Sequence, residues 1–183
     1  MDYRLPTTAV PKRYDLRLEP DLAAATFSGE AVITVDVETT LTEIVLNAAE
    51  LQIQSASVAR GGGVPIHGSI TLDEVAERAR LVFPAAIAPG EWRLTLRFTG
   101  VLNDRLPGFY RSTYKDAAGQ SRTIAATQFE ATDARRAFPC WDEPALKAVF
   151  EVTLVTPAHL CTLSNMPAVD MTTVTTSDAD RGL

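Results

Sequence analysis

The stretch Trp92–Thr99, WRLTLRFT, decides the fold class of this chain. Apolar side chains alternate here with charged and hydroxylated ones, and the apolar set is Trp92, Leu94, Leu96 and Phe98. Successive side chains of a β-strand point to opposite faces, so this alternation predicts a strand with one face in the core and one in solvent. Burial of each large apolar side chain contributes about 1.5–3 kcal/mol, so this strand is expected to supply much of the core.

Alternation of the same kind recurs on both sides of this stretch. The pattern predicts strands at Tyr14–Glu19, Phe27–Glu38, Leu41–Leu46, Leu51–Val58, Phe109–Tyr114, Thr123–Glu130, Ala148–Val155, Leu160–Leu163 and Met171–Thr176, and a hairpin within Ile70–Phe83. Turn residues separate these strands at short spacing, and no segment has the period of a long helix. We therefore predict an all-β, antiparallel, sandwich-like fold with at most one or two short helical turns. Residues 1–13 are expected to form an extended lead-in on its surface.

Length and composition limit the class of protein. A chain of 183 residues that is 46% hydrophobic can form one sizeable core, so we expect a single domain over residues 1–183. The net charge is −6 and the basic residues are scattered, which argues against a nucleic-acid partner. The N-terminus has no apolar signal region and no run approaches the roughly 20 apolar residues of a membrane span, so we expect a cytoplasmic protein without a membrane partner. Cys140 and Cys161 form no C-x-x-C motif and are expected to be reduced and buried.

The most unusual stretch is Thr127–Pro144, TQFEATDARRAFPCWDEP. If its first residues continue a strand, Gln128 and Glu130 share one face and Phe129 points to the core. A short helical turn is expected near Thr132–Arg135, with Thr132 as a possible N-cap. The run that follows, Phe138–Pro144, is too rich in proline to continue as a strand or helix.

A carboxylate beside an amide suits a cationic group such as a primary ammonium. The three donors of an ammonium need several acceptors, and Glu130 and Gln128 could supply them. The alternative is an ion pair of Glu130 with Arg135 or Arg136, with Gln128 merely solvated. On spacing alone this alternative is favoured, because surface ion pairs are common and weak.

Several catalytic classes are excluded by residue type. With only His67 and His159, the chain has no H-E-x-x-H motif and no three-histidine metal site, so we expect no metal ligands in it. No G-x-S-x-G elbow occurs. Cys140 lies between Pro139 and Trp141 without a local activating group, which favours packing over nucleophilic catalysis. No catalytic residue is therefore expected in this chain.

Three segments carry a resemblance to a known family. These are TQFEATDARRAFPCWDEPALKAVFEVTL at residues 127–154, PGFYRSTY at 107–114 and LSNMP at 163–167. Together with the opening RLPTTAVPKRYDLRLEPD, they closely resemble the N-terminal domain of zinc aminopeptidases of the puromycin-sensitive and aminopeptidase N kind. The resemblance implies a saddle-like β domain laid over a thermolysin-like catalytic domain. It also implies that Glu130 binds the free α-amino group of a peptide substrate and that Gln128 lines the first substrate pocket.

Other family motifs are missing from the chain. The G-x-M-E-N loop, the H-E-x-x-H helix with its distant glutamate, and the catalytic tyrosine do not occur. The resemblance therefore implies a fragment whose zinc cofactor and catalytic domain belong to a longer enzyme, and which is inactive alone. The strand predicted at Met171–Thr176 would open a hairpin that is not completed, so we expect the domain to be truncated before its last strands.

Two other functions remain open. One is a non-catalytic β-sandwich interaction module that keeps the sequence of such a domain. The other is a carboxylate-based hydrolase that uses Glu130 with Asp142 or Glu143, although nothing in the sequence places these groups at a catalytic separation.

Overall fold

A computed structural model describes residues 4–174 of the chain, and within that range the fold is all-β, as predicted. The strands are β1 (Ala9–Asp21), β2 (Thr26–Val37), β3 (Leu41–Asn47), β4 (Leu51–Ala59), β5 (Ile66–His67), β6 (Ser69–Asp73), β7 (Arg78–Ile87), β8 (Gly90–Val101), β9 (Gly108–Lys115), β10 (Ser121–Gln128) and β11 (Val149–Leu154). Ala134–Arg136 form a 3₁₀ turn. No helix of the described residues is long and apolar enough to cross a membrane.

The strands form three sheets. A six-stranded sheet has the order β11-β1-β2-β8-β4-β5, a three-stranded sheet has the order β3-β7-β6, and β9 and β10 pair as a separate hairpin. All described pairs are antiparallel except β1 with β11, which run parallel. β1 and β11 are joined by most of the domain rather than by a tight turn, so no hairpin forces them to be antiparallel.

One hydrophobic core joins the large sheet to the three-stranded sheet. The inward residues Ile33 of β2 and Leu94 of β8 share this core with Leu46 of β3 and Leu81 of β7. Two sheets that bury their apolar faces together form the sandwich that the alternating pattern predicts.

Two glycines in the large sheet lie under aromatic rings. Gly29 pairs with Phe98 and Gly100 pairs with Phe27 across β2 and β8. A Cβ atom at Gly29 would lie 2.5 Å from the Phe98 ring, and one at Gly100 would lie 2.3 Å from the Phe27 ring. The rings occupy the space where side chains would otherwise stand, so larger residues do not fit at these two positions.

Several predicted boundaries are corrected by the structure. The hairpin predicted within Ile70–Phe83 is confirmed as β6 and β7. The surface lead-in is wrong in part, because β1 already begins at Ala9 and the side chains of Leu5 and Ala9 are buried. Leu160–Leu163 is not a strand, and neither are residues 171–174. Neither segment pairs with a strand among the described residues. The rest of the predicted Met171–Thr176 strand and the turn after it lie outside the described residues.

Candidate functional site

Glu130 lies just beyond the end of a strand. β10 ends at Gln128, which pairs with Gly108 of β9, and Glu130 follows in a turn, so the predicted strand to Glu130 is two residues too long. Gln128 and Glu130 are exposed, whereas Phe129 is half-buried and packs edge-on against Phe138 at a centroid distance of 5.8 Å. The peptide bond after Glu130 is cis. Because Gln128 and Glu130 are exposed, both polar side chains are accessible to a ligand.

Arg136 binds three carboxylates with its guanidinium. Nη1 donates to Glu50 Oε1 at 2.6 Å and Nη2 donates to Glu77 Oε1 at 2.7 Å. Nε donates to Asp133 Oδ1 at 3.0 Å. Partial burial lowers the pKa of Arg136, but the hydrogen bond to Asp133 and the charges of Glu50 and Glu77 outweigh it, so its pKa is raised.

Arg135 is also occupied by other carboxylates. Its Nε donates to Asp142 Oδ2 at 2.9 Å and its Nη1 donates to Glu77 Oε2 at 3.2 Å. Neither arginine therefore forms the ion pair with Glu130 that spacing alone favours. Among residues 4–174, Glu130 has no hydrogen bond or ion pair, which leaves its carboxylate free to accept one from a ligand.

The buried amide of Asn47 ties the segment after Glu130 to the end of β3. The backbone N–H of Asn47 donates to the Cys140 carbonyl at 2.8 Å, and the Cys140 N–H donates to the Asn47 carbonyl at 3.0 Å. The Asp142 N–H donates to Asn47 Oδ1 at 3.2 Å. The sequence does not predict this role, because residues 47–50 have only the pattern of a polar connection between two strands.

The predicted helical turn is confirmed, but its start is not. The 3₁₀ turn covers Ala134–Arg136, and Asp133 rather than Thr132 stands at the N-cap position. The Asp133 side chain makes no capping hydrogen bond. Its carboxylate instead accepts from Arg136, and an arginine donor binds a carboxylate more strongly than a neutral backbone N–H does.

The proline-rich run Phe138–Pro144 packs against aromatic residues of the large sheet. Phe138 contacts the Tyr14 ring edge-on at 6.1 Å, and the backbone N–H of Trp141 donates to the Tyr14 hydroxyl at 3.1 Å. Burial raises the pKa of Tyr14, so its hydroxyl stays protonated. An open cleft of about 170 Å³ lies beside this cluster and reaches Ala131, the residue after Glu130. These contacts anchor the run to β1 of the large sheet.

Both cysteines are unpaired, but only one is buried. Cys140 is buried and Cys161 is exposed, so the expectation of two buried thiols is wrong for Cys161. Burial raises the pKa of Cys140, and the charge of Asp142 raises it further. A raised pKa keeps a thiol protonated and unreactive, since the thiolate is the nucleophile.

We expect a thiol reagent such as iodoacetamide to label Cys161 and spare Cys140 at pH 8. Mass spectrometry should find one modified site in the native protein and two after denaturation in urea. In the Cys161→Ser variant, rapid labelling of the native protein should disappear. Fast modification of Cys140 in that variant would contradict its protected state.

The described residues do not fit a zinc ion. Within residues 4–174, no group of three or more His, Cys, Asp or Glu side chains is arranged to hold a metal. His67 lies in β5 and His159 lies in a turn near the other end of the chain. Asp142 binds Arg135, and Glu143 Oε1 accepts from the Leu5 N–H at 2.6 Å. These contacts give no support to a hydrolase that uses either carboxylate with Glu130.

Comparison with known proteins finds similarity to several proteins named as aminopeptidases. "Aminopeptidase M1-D" of Oryza sativa subsp. japonica is 49% identical over 167 residues, which are 91% of this chain and 19% of that protein. "Puromycin-sensitive aminopeptidase" of Caenorhabditis elegans is 41% identical over 92% of this chain and 18% of that protein. "Aminopeptidase N" of Acetobacter pasteurianus is 36% identical over 95% of this chain and 48% of that protein.

The chain spans about one fifth of the length of the rice and nematode relatives. The family model for the "Peptidase M1 N-terminal domain" matches residues 10–180. That match begins at the second residue of β1 and includes all the later strands through β11. It also includes Gln128, Glu130, Arg135 and Arg136. This chain therefore belongs to the Peptidase M1 N-terminal domain family.

Proposed function

We propose that this chain is the N-terminal, substrate-anchoring domain of a longer zinc aminopeptidase that removes single residues from peptide N-termini. Glu130 is the ligand of the substrate's free α-ammonium, and Gln128 is its neighbour in the first substrate pocket. The relatives are named aminopeptidases, which supports the reaction class.

The free carboxylate of Glu130 carries this proposal. Two arginines lie within six residues of it, yet their guanidinium groups bind Glu50, Glu77, Asp133 and Asp142. Glu130 keeps an unneutralised charge in an exposed turn. A peptide ammonium is a complementary cation, and the side-chain oxygen of Gln128 offers a second acceptor nearby.

The zinc chemistry belongs to the rest of the longer protein in this proposal. Because the described residues do not fit a zinc ion, this chain supplies recognition rather than bond cleavage. Holding the α-ammonium at one end of the peptide sets which bond reaches the catalytic groups, and it selects substrates with a free N-terminus.

The remainder of the same protein is the proposed partner domain. Tyr114 and Ile124 are exposed on the separate β9–β10 hairpin, and Val149 and Val152 are exposed on β11 at the edge of the large sheet. A two-stranded hairpin is only marginally stable alone, and exposed apolar groups at a sheet edge favour a covering surface. A reducing compartment suits the two unpaired cysteines, so we propose a cytosolic location.

Residues 1–183 alone should hydrolyse no aminoacyl substrate and bind no stoichiometric zinc, because the described residues lack a ligand cluster. Leucine p-nitroanilide turnover and metal analysis of the purified chain provide the two measurements. One zinc per chain together with turnover would overturn the proposed division of roles.

Reading the gene beyond codon 183 separates this proposal from a non-catalytic interaction module. An H-E-x-x-H segment downstream supports the aminopeptidase, and the complete protein should then release N-terminal residues from peptides. A stop codon at that point would instead select the interaction module.

A further inference from the structure

The position of Glu130 is not set by strand pairing. Residues 129–148 connect β10 to β11, and their only regular structure is the turn Ala134–Arg136. A loop without a hydrogen-bonded ladder needs other contacts to hold a side chain in one place. The contacts of Arg136 are the strongest candidates for that role.

The three carboxylates bound by Arg136 come from three different places. Asp133 lies with Glu130 in residues 129–148, which we call the Glu130 segment. Glu50 lies in the turn between β3 and β4, and Glu77 lies in the turn between β6 and β7. The planar guanidinium directs its donors along fixed directions, so one side chain holds three backbone segments in register. The Arg136 side chain is only 20% exposed, which reduces screening by solvent.

The stem of Arg136 also touches the strand pair that ends at Gln128. A Cβ atom on Gly108 would lie 2.5 Å from the Arg136 Cβ, and Gly108 has a φ of +72°. Arg136 therefore packs against Gly108, the first residue of β9. Gly108 lies directly across from Gln128, which is two residues before Glu130.

We propose that Arg136 is a positioning residue that holds Glu130 where it can bind the substrate ammonium. This inference rests on the proposed function. Without Arg136, the carboxylates of Asp133, Glu50 and Glu77 lose a shared cation, and their repulsion loosens the end of the segment that carries Glu130. The contacts of Arg135 and of Asn47 still hold the rest of the segment. Lysine does not replace it, because one ammonium cannot present the same planar set of donors to three carboxylates.

The first test measures how much the α-amino group contributes to binding in the complete enzyme. Leucinamide and 4-methylpentanamide differ by that group, so the inhibition constant of 4-methylpentanamide divided by that of leucinamide reports the ammonium contact. Glu130→Ala should lower this ratio by about 100-fold and Arg136→Ala by about tenfold, with Arg136→Lys close to Arg136→Ala. Affinity for 4-methylpentanamide should stay near the wild-type value in all three.

Arg105 provides the matched control. It also binds Glu50, with Nη2 at 2.5 Å from Oε2, but its side chain is 61% exposed and it lies outside the Glu130 segment. Arg105→Ala should leave the ratio unchanged. If Glu130→Ala lowers the ratio and Arg136→Ala does not, the positioning role is wrong. If Glu130→Ala has no effect, the proposed function itself fails.

The second test does not depend on catalysis. In the structure the Asp133 N–H donates to the Phe129 carbonyl and the Ala137 N–H donates to the Ala134 carbonyl. Hydrogen exchange of these amides in residues 1–183 should become about tenfold faster in Arg136→Ala, while amides of β2 and β8 keep their protection. Arg105→Ala should show no such change. Unchanged exchange at Asp133 and Ala137 in Arg136→Ala would overturn the inference.

Discussion

Replacing Glu130 with alanine in the complete enzyme should lower kcat/KM for peptides with a free N-terminus by about 100-fold or more. The exposed carboxylate has no partner among residues 4–174, so its proposed partner is the substrate ammonium. A charge-assisted hydrogen bond that is lost inside a closed site costs about 2–5 kcal/mol, which corresponds to a decrease of this size or larger. Steady-state kinetics on aminoacyl amides provides the measurement.

Two further variants test whether the charge itself is responsible. Glu130→Gln keeps an acceptor oxygen but removes the negative charge, so it should retain only part of the activity. Glu38→Ala removes an exposed carboxylate outside the Thr127–Pro144 segment and should leave kcat/KM unchanged. Wild-type kinetics in Glu130→Ala would show that the α-ammonium is bound by another group.

Replacing Phe98 with alanine should destabilise the domain by about 3–5 kcal/mol. The Phe98 side chain is 1% exposed, and its ring covers Gly29 on the neighbouring strand. Gly29 has no side chain that could move into the vacated space, so a cavity is expected beside it. Urea unfolding of residues 1–183, followed by circular dichroism, should show a lower midpoint with little change in slope.

Tyr114 provides a matched aromatic control for this stability measurement. Its side chain is 50% exposed on the β9–β10 hairpin. Tyr114→Ala should change the free energy of unfolding by less than about 1 kcal/mol, because most of its contacts are with solvent. Equal losses in Phe98→Ala and Tyr114→Ala would contradict the placement of Phe98 in the core.

Most strands could be predicted because they are amphipathic. In β8 the alternation of Trp92, Leu94, Leu96 and Phe98 with polar residues is a local property, and the structure buries these four side chains. The same pattern failed at Leu160–Leu163, where no strand forms. Alternation shows that a segment could form a strand, but pairing needs a neighbour that local sequence does not specify.

The Thr127–Pro144 segment could likewise be predicted only in part from the sequence. Residue types identified Gln128 and Glu130 as possible ammonium ligands, and the motif pointed to the family that the comparisons confirm. Spacing favoured a pair between Glu130 and the nearby arginines. The structure shows a different pairing, because Glu50 and Glu77 reach Arg136 from turns that are distant in sequence.

The sequence by itself determined that this protein is an all-β domain and where its main strands lie, and it supplied Gln128 and Glu130 as candidate site residues. These properties follow from side-chain type and local period, which a linear chain displays directly. Only the tertiary structure decided that β1 and β11 run parallel and that Asn47 exchanges two backbone hydrogen bonds with Cys140. It also decided that Arg135 and Arg136 bind other carboxylates and leave Glu130 unpaired. Such contacts join residues that are remote along the chain, so they depend on how the sheets and turns meet in space.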